Sequence, residues 1–157
     1  MVTHTLSVVR YHDFSCAHRS VGDPGKCAQI HGHNYRVFFH CQAKVGGGLS
    51  PLGRVVDFSI IKQTLCQWLE DTWDHKLLLW ERDPLMVEFL SGKVVNESSA
   101  WEQVLTASIE PTTFNTSTEL MANFLLDLGN RLLPSHVRLV KVVIEETRKC
   151  GAVAEME

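Results

Sequence analysis

In the stretch His31-Gly-His-Asn-Tyr-Arg-Val-Phe-Phe-His-Cys-Gln-Ala-Lys-Val45, apolar and polar side chains alternate from Tyr35 onward. This is the period of a β-strand that has one buried and one exposed face. The apolar positions of the alternation are Tyr35, Val37, Phe39, Cys41, Ala43 and Val45. The stretch therefore predicts a half-buried strand, and the rest of the chain can be interpreted outward from it.

The flanking segments predict a second strand and a helix. Thr5 to Tyr11 is rich in Val, Leu and Tyr and predicts a strand. Beyond the Gly-rich segment Val45 to Gly53, which predicts a loop, apolar residues recur every three or four positions. That spacing predicts an amphipathic helix from Asp57, a favourable N-cap residue, to about Asp71.

The C-terminal part repeats these elements in reverse order. Apolar residues at helical spacing predict a second helix from about Ser117 to Leu133, with Thr116 and Glu119 as a capping box. The period then returns to two from Val137 to Glu146, and Ala152 to Met156 is expected to pair with that strand.

The predicted order of elements is ββααββ. Two pairs of strands separated by two helices favour an α+β domain, in which both helices pack on one face of a four-stranded antiparallel sheet. The length of 157 residues is typical of a single domain, 1–157. The segment at about 83–111 is predicted to be a partly irregular insertion in that domain, because so long a connection is unusual.

Composition excludes several classes of protein. The chain is 45% hydrophobic and 21% charged, and its formal net charge of -3 comes without a basic run, which argues against nucleic acid as a partner. No apolar run approaches a membrane span of about 20 residues, and Met1 to Arg10 lacks the pattern of a signal peptide. Five scattered cysteines predict free thiols, so we expect a cytoplasmic protein that contacts no membrane.

The histidines predict a metal site. His31 and His33 are two positions apart on the predicted strand, so their side chains share the more apolar face. His18 follows the first strand region and is placed to return beside them in a hairpin. Three imidazoles with an open fourth position form a catalytic zinc site. The alternative is that these are ordinary solvated or hydrogen-bonded histidines at strand ends.

Two further features suggest proton transfer. Cys27 lies four residues before His31, and a thiol close to a cation loses its proton more easily. Asp74 and His75 are adjacent after the first helix, and a carboxylate beside an imidazole is a plausible relay. The alternatives are a small buried thiol for Cys27 and helix-end electrostatics for His75. The remaining cysteines are interpreted as core residues, namely Cys16, Cys41, Cys66 and Cys150.

A carboxylate is predicted on the buried side of the third strand. Val140, Val142 and Ile144 form its apolar set, so Glu146, and not Glu145, turns toward that side. A carboxylate there needs donors, and it can accept two N–H groups from a flat, guanidine-like heterocycle edge. The alternative is a strand-end glutamate paired with Arg148 or Lys149.

Together these residues resemble a known family over nearly the whole chain. The similarity is to the 6-pyruvoyltetrahydropterin and 6-carboxytetrahydropterin synthases of the tunnelling fold. It rests on Phe14-Ser-Cys-Ala-His-Arg19, Cys27-Ala-Gln-Ile-His-Gly-His-Asn-Tyr35, Gly53-Arg-Val-Val-Asp-Phe58, Asp74-His-Lys76, Asn115-Thr-Ser-Thr-Glu119 and Glu146-Thr147.

The resemblance implies roles for these positions. Zn²⁺ would be held by His18, His31 and His33, protons would be moved by Cys27, Asp74 and His75, and the pterin would be bound by Glu146, Ser117 and Thr118. The sequence Thr116-Ser-Thr-Glu-Leu120 stands where the family has Pro-Thr-x-Glu-Asn. The resemblance also implies a homohexamer with active sites between subunits.

The implied activity is that of a zinc-dependent lyase acting on 7,8-dihydroneopterin triphosphate. The short Cys-x-x-x-His-Gly-His spacing resembles the carboxy branch, whose products are 6-carboxy-5,6,7,8-tetrahydropterin, acetaldehyde and triphosphate, and which feeds deazapurine and queuosine synthesis. The pyruvoyl branch, which retains the side chain, is the alternative. Two other classes stay open: a binding module with a structural zinc on Cys16, His18, Cys27 and His31 or His33, and a pterin- or purine-binding scaffold without turnover.

Overall fold

The computed structural model of the chain describes residues 5–91 and 100–157. The strands and α-helices that it contains are β1 (Val8–His18), β2 (His31–Ala43), α1 (Phe58–Ile61), α2 (Gln67–Thr72), β3 (Leu77–Trp80), α3 (Pro84–Leu90), α4 (Ala100–Ser108), β4 (Ile109–Thr112), α5 (Thr118–Leu132), β5 (Val137–Thr147) and β6 (Cys150–Glu155). A 3₁₀ turn (Lys26–Ala28) precedes β2, and a π-helical turn (Lys62–Cys66) joins α1 to α2. No helix in these described ranges is both long and apolar enough to cross a bilayer.

The strands form one six-stranded mixed sheet in the order β4-β3-β1-β2-β5-β6. The α+β class is confirmed, and β1, β2, β5 and β6 pair antiparallel as predicted. The prediction of four strands in a wholly antiparallel sheet in ββααββ order is wrong. β3 and β4 add two parallel strands beside β1, and each is only four residues long, which is too short to show a period.

The hairpin of β1 and β2 is the centre of the sheet. Its register places Phe14 opposite Tyr35 and His18 opposite His31. The predicted alternation in β2 is confirmed, because Tyr35, Val37 and Phe39 are all buried. They share the covered face of the sheet, on which Phe14 and Tyr35 stack with ring centroids 5.2 Å apart.

Two helical segments cover that face. The first runs from α1 through the π-helical turn to α2 and buries Ile61, Leu65 and Leu69 in the same core as β1 and β2. Its predicted N-cap is confirmed, since Asp57 accepts a hydrogen bond from the backbone N–H of Ser59 at 2.8 Å. The second segment, α5, packs on β5 and β6.

The start of α5 differs from the predicted capping box. The N-cap is Ser117, whose side chain accepts from the N–H of Leu120, and the Thr116 hydroxyl points away to the carbonyl of Arg19. A polar residue one position further along satisfies the same helix end equally well, so the sequence does not distinguish the two caps.

A β-bulge changes the face that β5 presents. The register with β2 shifts between His40 and Cys41, so Val140 is the extra residue on β5. Val137 and Leu139 are buried before the bulge, and Val142 and Ile144 are buried after it. Val140 is therefore only partly buried, contrary to prediction, whereas the expected orientation beyond it is retained as far as Glu146.

Within the predicted insertion at 83–111, the described residues form α3, α4 and β4, and 92–99 lie outside them. Asp83 caps α3 by accepting from the N–H of Leu85, and its carboxylate is fully buried. Its second oxygen lies 3.3 Å from Nε of Arg19. This buried ion pair joins the corner before α3 to the residue that follows β1.

Candidate functional site

Three histidines converge where the hairpin opens. His18 ends β1, His31 begins β2 directly opposite it, and His33 is two residues further along the same face. One ring nitrogen from each of the three lies within 4.8 Å of the other two. The convergence expected from the sequence is therefore present, and it follows from the antiparallel register of two neighbouring strands.

Backbone carbonyls fix the tautomers of two of these rings. Nδ1 of His18 donates to the carbonyl of Thr116 at 2.6 Å, and Nδ1 of His31 donates to that of Gln29 at 2.8 Å. Because a carbonyl only accepts, each Nδ1 carries the proton and each Nε2 keeps its lone pair. This is the arrangement in which histidines ligate metals through Nε2.

The floor of the cluster favours neutral imidazole. The Tyr35 hydroxyl donates to Nε2 of His18 at 3.0 Å, and burial raises the pKa of that phenol, which keeps it a donor. Burial also lowers the pKa of His18. A neutral imidazole is the form that binds a metal, so the donor set fits a three-histidine zinc site with an open position.

The cysteines do not complete a closed site. The group of converging metal-binding side chains found in the described residues contains the three histidines and no thiol. Cys16 is buried beside them, and burial raises the pKa of its thiol to about 12, so it stays protonated. Cys27 is exposed. The geometry therefore resembles an open catalytic site more than a structural zinc site.

A cavity of about 300 Å³ opens beside the histidines. Cys27, Ser117, Thr118 and Glu146, all predicted from the sequence, line it together with His18. The lining residues that the sequence interpretation did not assign to the site are Ser20, Asp23, Glu119, Cys150 and Gly151. Glu119 was interpreted only as a helix cap. The interpretation of Cys150 as a core residue is wrong, because it is exposed at the start of an edge strand.

Glu146 lies between this cavity and the histidines. Its Oε1 accepts a hydrogen bond from the Thr118 hydroxyl at 2.9 Å and lies 3.8 Å from Nε2 of His18 and 3.7 Å from Nε2 of His33. Glu145 is exposed, as the parity of β5 predicts. The hydroxyl of Ser117, by contrast, is used to cap α5.

Asp74 and His75 form a well-held pair at the end of the first helical segment. Oδ2 of Asp74 accepts from Nδ1 of His75 at 2.7 Å, and its Oδ1 accepts from the N–H of Ser15 at 2.8 Å. Burial opposes ionisation of Asp74, but these hydrogen bonds outweigh it and hold its pKa below the usual value. His75 has a left-handed backbone, with φ of 59°, while its side chain is 84% exposed. Strained backbone of this kind clusters at functional sites.

The Asp74–His75 pair and Cys27 line different cavities. Asp74 and His75 line a cavity of about 650 Å³ with Ser15 and Asn34, whose side chains bond each other on the open face. Neighbouring residues of a strand point to opposite faces, so Ser15 is turned away from the side that carries His18. Within one chain the structure does not bring Asp74 and His75 to Cys27.

The chain is similar to several known proteins. A family model described as 6-pyruvoyl tetrahydropterin synthase matches residues 7–157. A Rickettsia felis protein named 6-carboxy-5,6,7,8-tetrahydropterin synthase is 27% identical over 136 residues, which covers 85% of this chain and 92% of the relative. A Halobacterium salinarum protein named probable 6-carboxy-5,6,7,8-tetrahydropterin synthase is 32% identical over 133 residues, 85% of this chain and 75% of the relative.

A solved structure supports the fold alone. The 6-pyruvoyl tetrahydropterin synthase of Caenorhabditis elegans superposes with a TM-score of 0.63 at 22% identity, covering 98% of this chain and 97% of that one.

Proposed function

The chain belongs to the 6-pyruvoyl tetrahydropterin synthase family, and from this premise we propose that it is a zinc-dependent lyase that converts 7,8-dihydroneopterin triphosphate to 6-carboxy-5,6,7,8-tetrahydropterin, acetaldehyde and triphosphate. The observation that carries the proposal is the convergence of His18, His31 and His33 beside the Glu146 carboxylate, in a cavity that also contains Cys27. We place the product in the supply of deazapurine precursors.

The three histidines are the residues that would hold zinc. When bound there, zinc supplies Lewis-acid polarisation of oxygens on the substrate side chain. The carbonyls of Thr116 and Gln29 keep the ring protons of His18 and His31 on Nδ1, so each Nε2 can bind a metal once the Tyr35 hydroxyl releases its hydrogen bond to His18.

The cavity suits the heterocycle of the substrate. Three carboxylates, those of Asp23, Glu119 and Glu146, line its wall, and such a wall favours the N–H-rich, guanidine-like edge of a pterin. The Thr118 hydroxyl orients Glu146 for that contact. The same carboxylates repel the negatively charged triphosphate, so this end of the substrate is directed out of the cavity.

Proton transfer is assigned to Cys27 and to the Asp74–His75 pair. Cys27 is the proton acceptor within the cavity, and His75, oriented by Asp74, exchanges protons from the opposite side of the substrate. Because these groups line different cavities of one chain, we assign the pair that serves each Cys27 cavity to a neighbouring subunit. We propose a homohexamer with its sites at subunit interfaces.

Product analysis tests the branch of the family. Three residues separate Cys27 from His31, and this short spacing limits where the thiol can lie relative to the proposed metal ligands. A proton acceptor acts only within about 3 Å or through one water, so its position selects the carbon or oxygen that is deprotonated. Mass spectrometry of the reaction with dihydroneopterin triphosphate is expected to give the carboxy product and acetaldehyde. Accumulation of 6-pyruvoyltetrahydropterin without acetaldehyde would assign the chain to the pyruvoyl branch.

Glu146→Gln is expected to weaken the binding of 7,8-dihydroneopterin by on the order of 2 to 4 kcal/mol, because an amide cannot accept both N–H groups of the heterocycle edge. The matched control is Glu145→Gln, one residue earlier on the exposed face, and it is expected to leave the affinity nearly unchanged. Calorimetric titration of both variants measures the difference. Equal losses, or a larger loss for Glu145→Gln, would show that the pterin does not bind at Glu146.

A further inference from the structure

Thr116 is buried between β4 and α5, and it contacts the end of β1 twice. None of its surface is exposed. Its hydroxyl donates to the carbonyl of Arg19 at 2.8 Å, and its own carbonyl accepts from Nδ1 of His18 at 2.6 Å. Thr116 thus bonds both a histidine of the cluster and the backbone carbonyl of the next residue, Arg19.

The neighbouring residue extends this contact. The Asn115 side chain accepts from the N–H of Val21 and donates to the carbonyl of Val21, both at 2.9 Å. Residues 115–116 therefore bind the segment 18–21 through four hydrogen bonds. Within that set, the Thr116 hydroxyl is the side-chain group that bonds the backbone of Arg19, the residue directly after His18.

We propose that the Thr116 hydroxyl is a positioning group for the metal site, because it fixes the carbonyl that orients His18. The inference rests on the zinc ligation proposed above. If the hydroxyl is removed, the Arg19 carbonyl loses its donor, and the Thr116 peptide group loses one of the hydrogen bonds that fix it relative to the imidazole. The Nδ1–H bond that holds Nε2 toward His31 and His33 is then weakened. Loss of a group that orients a metal-ligating side chain through hydrogen bonds usually weakens metal binding about 10- to 100-fold.

The chain offers a matched control for this effect. Thr112 is also buried, and its hydroxyl donates to a backbone carbonyl, that of Phe114, at 2.7 Å. The carbonyls that bond the Nδ1 atoms of His18 and His31 are those of Thr116 and Gln29, and the Phe114 ring pairs with Trp73 and Phe124. Thr112→Val therefore removes the same kind of buried hydrogen bond without acting on the proposed metal site.

The test is a measurement of zinc affinity by competition with a chromophoric chelator. The proteins compared are the wild-type chain and the variants Thr116→Val, Thr116→Ser and Thr112→Val. Thr116→Val is expected to bind zinc about ten-fold more weakly, whereas Thr116→Ser, which keeps the hydroxyl, and Thr112→Val are expected to remain close to the wild type. Thermal unfolding of the zinc-free proteins is expected to show similar losses for the two valine variants. Thr116→Ala removes the hydroxyl without an added methyl group and replaces the valine variant if that one does not fold.

The outcomes separate this inference from the proposed function. Zinc affinity of Thr116→Val or Thr116→Ala equal to that of the wild type would overturn the positioning role. A loss of the same size in Thr112→Val would also overturn it, since the effect would then be one of general stability. If the wild type itself binds no zinc, the proposed function loses its metal and the inference falls with it.

Discussion

His31→Ala is expected to lose zinc, and His33→Ala is expected to behave in the same way. Four-ligand zinc sites bind with about 10 to 16 kcal/mol, so one ligand contributes on the order of 3 kcal/mol, and its removal weakens binding more than about 100-fold. Three protein ligands leave no substitute for the missing one. Metal content after dialysis and chelator competition measure the loss, and turnover is expected to fall with it.

The control for this prediction lies on the same strand. His40 is a half-buried histidine of β2 outside the converging group, so His40→Ala is expected to retain zinc. If both His31→Ala and His33→Ala kept the zinc content of the wild type, the assignment of the three histidines as zinc ligands would be wrong. Loss of zinc in His40→Ala as well would indicate that the sheet, rather than the ligands, had been damaged.

The histidine cluster was predictable from the sequence because it depends on local geometry. Parity along β2 places His31 and His33 on one face, and an antiparallel neighbour brings His18 opposite the first of them. The same parity predicted the orientation of Glu146 relative to Glu145. Each of these inferences needs only the period of a strand and one turn.

Features set by long-range pairing were not predictable in this way. β3 and β4 show no period, since each has four residues, and Pro111 further weakens the strand signal of β4. The pairing of β3 with β1 is what brings Asp74 and His75 to the backbone of Ser15. Nothing in the local sequence specifies that pairing.

Two features displaced by a single residue changed which side chains face the core and which one caps a helix. The bulge at Val140 interrupts the parity of β5, and no residue type marks it. At the start of α5, Thr116 and Ser117 are both good caps, and the structure uses the second. The hydroxyl of Thr116 is thereby available for Arg19, which is the basis of the positioning role inferred above.

Cys27→Ala is expected to retain zinc and to lose turnover by about 10²- to 10⁴-fold, the usual contribution of a positioned proton acceptor. Zinc is retained because the thiol is exposed and outside the group of converging histidines. The matched control is Cys150→Ala, which removes another exposed thiol from the same cavity and is expected to stay active. Loss of zinc from Cys27→Ala would favour a structural zinc site.

The same variant tests where His75 acts. Cys27→Ala and His75→Ala subunits are each expected to be inactive alone. Their co-refolded mixture is expected to regain activity, because Cys27 and His75 line different cavities of one chain. In randomly mixed oligomers about a quarter of the interfaces combine an intact Cys27 from one subunit with an intact His75 from the next, so about a quarter of wild-type turnover should return. If both groups acted within one chain, no combination of these two variants would contain a complete site, and the mixture would stay inactive. Recovery of turnover, measured as triphosphate release, therefore distinguishes a shared site from a site built by a single chain.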